Sequence, residues 1–125
     1  MKINKNDLPI VLEGSGKKMR SLQGFGNMTI TYNEIPAGTD FTPLLKGLKN
    51  NNCHCSHYGT VLEGVMKICY DNGKEEDIVG GDMFYIPSGH TVSVQEDLKI
   101  IIFSTTKEHH EVLTHVGKMM DKTRI

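Results

Sequence analysis

The fold is decided by residues 57–79, HYGTVLEGVMKICYDNGKEEDIV, in which two strand-like runs flank a tight turn. The first run, residues 57–70, is rich in β-branched and aromatic side chains, and a second run follows at residues 76–79. Between them, Asp71, Asn72 and Gly73 tolerate the positive φ angles that a tight hairpin needs. The stretch therefore predicts an antiparallel β-hairpin.

Similar short runs continue on both sides of this hairpin. Thirteen glycines and four prolines separate segments rich in β-branched and aromatic residues, a pattern typical of an antiparallel sandwich or barrel. A helical turn ended by its glycine is expected at residues 43–47. Further strands are predicted at residues 10–12, 28–35, near 53–55, and at 83–86, 91–94 and 98–103.

The hydrophobic period changes after Thr105. Thr105 and Glu108 are spaced as a capping box, and the apolar residues that follow recur at helical spacing. These residues are Val112, Leu113, Val116, Met119 and Met120. We therefore predict an amphipathic helix over about residues 105–121, whose apolar stripe covers a sheet or a neighbouring subunit.

Length and charge limit the possible functions. A chain of 125 residues with a formal net charge of −1 suits a single domain over residues 1–125 and shows no basic patch for nucleic acid. No apolar run is long enough for a membrane span or a signal segment, so we expect no membrane partner and a cytoplasmic location. Three cysteines do not form a disulfide framework, so reduced thiols are expected.

Four side chains are candidate metal ligands: Cys53, Cys55, His57 and, further along, His90. In an extended strand, residues 53, 55 and 57 project to the same side, whereas His54 and Ser56 point away. Thiolate and imidazole donors favour zinc or iron(II) over calcium or magnesium, which prefer oxygen. The pattern predicts a divalent transition metal as the cofactor.

Other interpretations of these residues remain open. Free cysteine is common in protein cores, and two histidines can simply hydrogen-bond within a polar pocket. Cys69 has no donor nearby and is expected to be a buried structural thiol. Three histidines of the terminal helix have offsets of five and six rather than the three or four of a helical metal pair, so they are expected to be solvated or cap-like: His109, His110 and His115.

Two segments resemble the conserved motifs of the cupin superfamily. They are Val61-Leu62-Glu63-Gly64 and Gly81-Asp82-Met83-Phe84-Tyr85-Ile86-Pro87-Ser88-Gly89-His90, and the resemblance spans about residues 36–104. It implies an all-β cupin fold, a double-stranded β-helix or jelly-roll barrel, with its core over about residues 26–104 and a short C-terminal α-helix. It also implies a homodimer.

The metal-ligand positions of that family are substituted in this sequence. Counting back from Gly64 places His57 where the first motif usually has glutamate and Cys53 at or next to its second histidine, with Asn51 at the first. The usual histidine of the second motif falls on Val92, while His90 lies two residues earlier on the same strand face.

A narrower resemblance connects the chain with small, functionally uncharacterised single-domain cupins. These carry a Cys-x-Cys-Pro-His-Trp-Gly run, in which Ser56 here replaces the proline and Tyr58 the tryptophan. They also carry a Pro-Pro-Gly-His turn, in which Ser88 replaces the second proline. The resemblance implies no particular reaction.

Two functional hypotheses follow. The first is a metal-binding cupin with a small-molecule pocket, in which Tyr58 and Tyr85 either contact the substrate or pack against the barrel wall. The alternative is a non-catalytic module that senses a ligand, a metal or the redox state. Three protein ligands would leave an open coordination position for catalysis, whereas four would close a tetrahedron.

Overall fold

The computed structural model of the chain describes residues 1–48, 50 and 52–123. Asn51, which the family comparison placed at a ligand position, lies outside these residues. The strands, numbered in chain order, are β1 (Ile10–Gly14), β2 (Lys17–Phe25), β3 (Met28–Ile35), β4 (His57–Tyr70), β5 (Glu75–Val79), β6 (Met83–Ile86) and β7 (His90–Thr105). Helix α1 (Thr106–Thr123) follows, and single 3₁₀ turns occupy Lys5–Asp7 and Thr42–Leu45.

Within the described residues, the seven strands form one antiparallel sheet in the order β1-β2-β3-β7-β4-β5, and β6 also pairs with β4. Strands β4 and β7 form the long central ladder of this sheet. The first part of β4 pairs with β6 and its second part with β5. Register shifts between Val61 and Met66 bend the ladder where β4 passes from one partner to the other.

Strands with strong local signals lie where the sequence predicts them. Strands β3, β4 and β6 match their predicted bounds, and the turn at residues 71–73 joins β4 to β5. Gly73 has φ of 84° and donates its N–H to the Tyr70 carbonyl oxygen. The predicted hairpin is therefore confirmed.

Three strand predictions are wrong in detail. The runs at residues 91–94 and 98–103 are parts of one strand, β7, because bulges opposite them keep the ladder continuous. Strand β2 was missed because its basic and polar residues do not show the regular alternation of apolar and polar side chains that predicts a strand. No strand covers residues 53–55, where only an isolated bridge pairs Cys53 with His90.

Helix α1 lies against the second of two buried clusters inside the fold. The first cluster fills the barrel between β3, β4, β5 and β7, and includes Val61, Met66, Ile68, Leu98 and Ile100. The second lies beneath α1 and includes Leu44, Leu45, Cys53, Cys55, Val116 and Met120. The stripe predicted for the helix thus packs against this chain's own core, and Thr42–Leu45 supplies the facing surface.

Gly59 allows β4 to approach β7 closely. A Cβ atom at this position would lie 2.0 Å from the Ile101 carbonyl oxygen. Only glycine fits there without moving the backbone. Among the described residues, no helix has both the length and the apolar character needed to cross a bilayer.

Candidate metal centre

Backbone pairing brings Cys53 and His90 together. The Cys53 N–H donates to the His90 carbonyl oxygen at 2.6 Å, and the His90 N–H donates to the Cys53 carbonyl oxygen at 3.1 Å. Gly89 makes the preceding turn with φ of 89° and donates its N–H to the same Cys53 oxygen at 2.9 Å. The two motif segments are therefore joined by backbone hydrogen bonds before any metal is considered.

Three donor side chains converge at this junction. One ligand atom from each of Cys53, His57 and His90 lies within 4.8 Å of the other two. Cys53 Sγ is 3.7 Å from His57 Nε2, and the two imidazole rings meet edge to face with centroids 5.1 Å apart. Bonds of about 2.3 Å to sulfur and about 2.0 Å to nitrogen would place these S and N atoms about 3.6 Å apart around tetrahedral zinc. The measured separation fits such an ion.

Hydrogen bonds orient both histidines. His90 Nδ1 lies 2.9 Å from the Pro87 carbonyl oxygen, and because that oxygen can only accept, Nδ1 carries the proton and Nε2 keeps its lone pair. His57 Nδ1 lies 2.7 Å from Ser104 Oγ, which leaves its Nε2 facing Cys53. Metal-binding histidines commonly have their second nitrogen held in this way.

Burial keeps the donors uncharged. It raises the pKa of the Cys53 thiol to about 11, against a smaller lowering by the Cys55 backbone. Burial, with smaller contributions from the nearby His90 and His109, lowers the pKa of His57 to about 3. Burial likewise lowers the pKa of His90. At neutral pH the imidazoles are therefore ready to bind a cation, while Cys53 must lose its proton first.

Cys55 does not join the three donors. It is 0 % exposed, its Sγ lies 3.6 Å from the Ser56 carbonyl oxygen, and its side chain packs in the cluster beneath α1. Burial raises its pKa to about 12, opposed by a hydrogen bond from Ser104. The expected parity of residues 53, 55 and 57 fails because the segment is not a regular strand, so alternation does not apply.

Tyr58 and Tyr85 lie outside the barrel. They are cross-strand partners on β4 and β6, each is 53 % exposed, and their rings stack with centroids 4.8 Å apart. Neither lines the cavity beside the metal candidates. Each tyrosine is next to an inward residue on its strand, His57 or Ile86, and therefore points to the other face; its contact with a substrate stays a prediction.

A cavity of about 120 Å³ adjoins the three donors. Cys53, His57 and His90 contribute to its lining, and most of the remaining wall is apolar, from β3, β7 and α1. Residue Val92, at the family's usual histidine position, also lines it. The cavity lies between the inward side chains of the sheet and helix α1.

His109 is a cavity residue that the sequence analysis missed. It is buried rather than solvated, and its Nε2 lies 3.3 Å from Thr31 Oγ1. Burial lowers its pKa, and His110 lowers it further. Its position three residues before Val112 and seven before Val116 placed it on the apolar stripe of α1, which was the available signal.

The surroundings of His115, His110 and Cys69 can also be compared with the sequence predictions. His115 Nε2 carries the proton and donates it to the Lys46 carbonyl oxygen at 2.8 Å, which fits the expected cap-like role. His110 is exposed, as expected. Cys69 is half-buried beside Glu75 rather than fully buried, which makes that prediction wrong.

Glu108 connects α1 to the ligand segment. Its carboxylate accepts a hydrogen bond from the Ser56 N–H at 3.1 Å, and its charge adds to the raised pKa of both Cys53 and Cys55. The start of the helix thus helps to fix the irregular chain between Cys53 and His57.

Solved structures of similar fold agree with this architecture. The polyketide cyclase RemF of Streptomyces resistomycificus is 19 % identical, with a TM-score of 0.59 over 84 % of this chain and 78 % of that one. An RmlC-like cupin from Shewanella frigidimarina is 20 % identical, with a TM-score of 0.56 over 84 % and 90 %. An RmlC-like cupin from Desulfovibrio desulfuricans is 18 % identical, with a TM-score of 0.57 over 84 % and 96 %.

Sequence comparison adds nothing to these structural likenesses, since no protein-family model and no curated protein sequence matches the chain. The chain has the cupin fold, a β jelly roll followed by a C-terminal helix.

Proposed function

We propose that the chain binds a divalent transition metal, zinc or iron, through Cys53, His57 and His90, beside a small-molecule cavity. The convergence of three donor atoms within 4.8 Å carries this proposal. It is supported by the Nδ1 contacts of both histidines, which leave each Nε2 available. Sulfur and imidazole donors favour these metals over magnesium or calcium.

A three-ligand set would leave a coordination position open towards the cavity. A bound ion would supply a Lewis acid for polarising a carbonyl group or activating water. Pro87 and Ser104 would hold the imidazole rings, and the apolar wall would exclude bulk water. Cys55 would act from outside the ligand set, through its contact with Ser104.

His109 is the residue we place in proton transfer. It lines the same cavity but is not among the three donors. Its pKa is lowered by burial, so the ring is uncharged at neutral pH and could accept a proton there. Its contact with Thr31 would fix the ring. The reaction itself stays unassigned.

A redox-sensing role for Cys53 and Cys55 is disfavoured. Thiol oxidation proceeds through the thiolate, and burial raises the pKa values of both groups to about 11 and about 12. At neutral pH almost all of each thiol stays protonated. This favours a ligand-binding or catalytic metal site over a redox reporter.

Metal analysis of tag-free protein tests the metal proposal. After separate anaerobic loading with zinc and with iron(II), we expect one ion per chain in the wild type and loss of binding in Cys53→Ala, His57→Ala and His90→Ala. Cys55→Ala and His54→Ala are matched controls from the same segment and should retain the metal. Cobalt(II) loading should also give a thiolate charge-transfer band that Cys53→Ser removes.

Two outcomes would contradict it. Wild-type protein that stays metal-free after both loadings would exclude the site, and so would full metal content in Cys53→Ala and His57→Ala. Loss of metal in Cys55→Ala with an unchanged fold would instead restore the four-ligand, closed arrangement.

We further propose that two copies associate through the outer face of β6, β4 and β7. Tyr58, Tyr85, Met83 and Phe103 are exposed there, with Met83 87 % exposed. An aromatic face of this kind suits an interface between identical chains. Sedimentation analysis should give a dimer that Tyr58→Lys converts to monomer, whereas Lys17→Ala on β2 should not; a monomeric wild type would contradict this.

A further inference from the structure

The inward face of β3 is polar. Thr29, Thr31 and Asn33 alternate with the outward residues Ile30 and Tyr32, and all three are buried. A polar stripe inside a barrel needs hydrogen-bond partners, because unpaired buried polar groups destabilise the fold. The three residues differ in whether they have them.

The first two residues of the stripe are satisfied by the protein. Thr29 Oγ1 donates to Thr106 Oγ1 at 3.0 Å. Thr31 Oγ1 lies 3.3 Å from His109 Nε2 and 3.4 Å from Ser21 Oγ. Helix α1 and strand β2 therefore account for these hydroxyl groups.

Asn33 is different. Its side chain is 5 % exposed, and its Oδ1 has no hydrogen-bond partner within the described part of the chain. Its strand partner is Ile100, which pairs in turn with Val61, so its level of the barrel is otherwise apolar. Asn33 also lines the cavity that adjoins the three metal-ligand candidates. The unpaired Asn33 Oδ1 atom and the cavity that Asn33 lines are two independent observations at the same position.

The cavity carries no permanent charge. Among the described residues, those that line it include no lysine, arginine, aspartate or glutamate. Apart from Cys53 and three histidines, the described wall consists of apolar side chains and the uncharged polar side chains of Thr31 and Asn33. A charged molecule would find no counter-charge in the wall away from the metal-ligand candidates, so an uncharged ligand is favoured.

We propose that Asn33 Oδ1 accepts a hydrogen bond from a hydroxyl or N–H group of an uncharged, largely apolar small molecule bound in this cavity. This inference rests on the proposed function only in that the cavity is the one beside the proposed metal site; the Asn33 hydrogen bond itself does not require the metal. Cavities of about 150 Å³ lined by apolar side chains bind molecules of benzene size, and the volume here is about 120 Å³. A compact hydroxyl-bearing ring or short-chain alcohol fits this description.

Phenol and toluene are suitable probes, because they differ by a hydroxyl and a methyl group of similar size. Their affinities would be measured by NMR titration of ¹⁵N-labelled protein, with and without zinc. We expect the ratio of phenol affinity to toluene affinity to be roughly five-fold higher in the wild type than in Asn33→Leu, which is the effect of one net hydrogen bond. Glu34→Gln, a neighbour on the same strand, is the control and should keep the wild-type preference.

A direct signal in the wild type guards against a variant that does not fold. Phenol should shift the Asn33 side-chain amide resonances, whereas toluene should shift only apolar neighbours. Equal phenol-to-toluene ratios in the wild type and Asn33→Leu would overturn the inference. So would unshifted Asn33 resonances with phenol, or the absence of binding by either probe at millimolar concentration.

The zinc comparison separates this inference from the metal proposal. Hydroxyl selectivity that depends on Asn33 in protein unable to bind zinc would support the inference and contradict the metal site. Zinc binding without that selectivity would support the metal site and overturn the inference.

Discussion

The two faces of strand β4 carry different chemistry. His57 faces the barrel, where it meets Cys53 and His90, whereas its neighbour Tyr58 is 53 % exposed and stacks on Tyr85. The inner face is apolar around a few uncharged donors, and the outer face is aromatic and open to solvent. Adjacent residues thus take unrelated roles because a strand turns successive side chains to opposite sides.

The same contrast predicts how substitutions on the two faces affect the protein. Inner positions combine tight packing with buried polar groups, so their substitution should affect stability or metal binding strongly. Side chains on the outer face are exposed, so their substitution should affect mainly the association of two copies of the chain. Four predictions test this difference, in order of expected effect.

The largest effect is expected at Gly59. In Gly59→Ala the new methyl group would overlap the Ile101 carbonyl oxygen, and forcing β4 and β7 apart should lower the free energy of unfolding by about 3 kcal/mol. Urea denaturation measures this loss. Gly73→Ala is the control, because its Cβ meets nothing within 4 Å and only its positive φ opposes the change, at about 1 kcal/mol. Equal losses in both variants would contradict the close approach.

Acid should destabilise the metal-free protein through His57. Its pKa falls from 6.5 to about 3 on folding, so the unfolded chain takes up the proton first as pH drops. The stability is complete above about pH 6.5 and is lost as pH falls towards about 3. Each pKa unit corresponds to about 1.4 kcal/mol, but His57 is only half-buried, so we expect a loss of about 2 kcal/mol.

Urea denaturation with a chelator, repeated from neutral to acidic pH, tests this dependence. His57→Gln should make the curve less steep, because it removes one of the buried histidines whose pKa is lowered in the folded chain. An identical slope in wild type and His57→Gln would show that His57 does not control acid stability.

Thiol labelling should distinguish inner from outer cysteines. Cys69 is half-buried on the outer side, while Cys53 and Cys55 are buried. In native, metal-free protein we expect iodoacetamide to modify Cys69 at least about ten times faster than the other two, since access and thiolate content limit the rate. Mass spectrometry of the digested protein measures this ratio. In denaturant the three rates should become similar; a fast-reacting Cys55 in native protein would contradict its burial.

The smallest effect is expected at Tyr85. Tyr85→Ala removes an exposed ring stacked on Tyr58 and should lower the free energy of unfolding of the monomer by about 0.5 kcal/mol. Metal content should not change, because the ring lies on the face opposite the donors. Loss of metal in this variant, with an unchanged circular dichroism spectrum, would show that the two faces are coupled.

The strands that the sequence predicts well are those with strong local signals. The hairpin at residues 71–73 and strand β3 follow from turn chemistry and side-chain type, which act between near neighbours. Strand β2 was missed because it carries lysine and arginine side chains that do not follow the alternation used to predict strands, although it pairs with both β1 and β3. The separate runs at residues 91–94 and 98–103 could not be joined from sequence, because the bulges that keep β7 continuous lie on its partner strand.

The candidate site was predictable only in part. His57 and His90 were candidates because of their residue type and their positions in the two motif-like segments, and both reach the donor cluster. Cys55 was expected beside them by strand parity, but its segment is irregular and its thiol packs beneath α1. His109 and Asn33 were not singled out, although one lies on the apolar stripe of its helix and the other on a polar stripe of its strand.

The sequence by itself determined the antiparallel strands, the terminal helix and the supply of soft donors, because these depend on residue type and spacing along the chain. Tertiary structure decided which donors meet. Cys53 approaches His90 through backbone hydrogen bonds between distant segments, and helix α1 covers Cys55 while adding His109 to the cavity. Such contacts depend on how the barrel closes and how the helix packs, which no local pattern specifies.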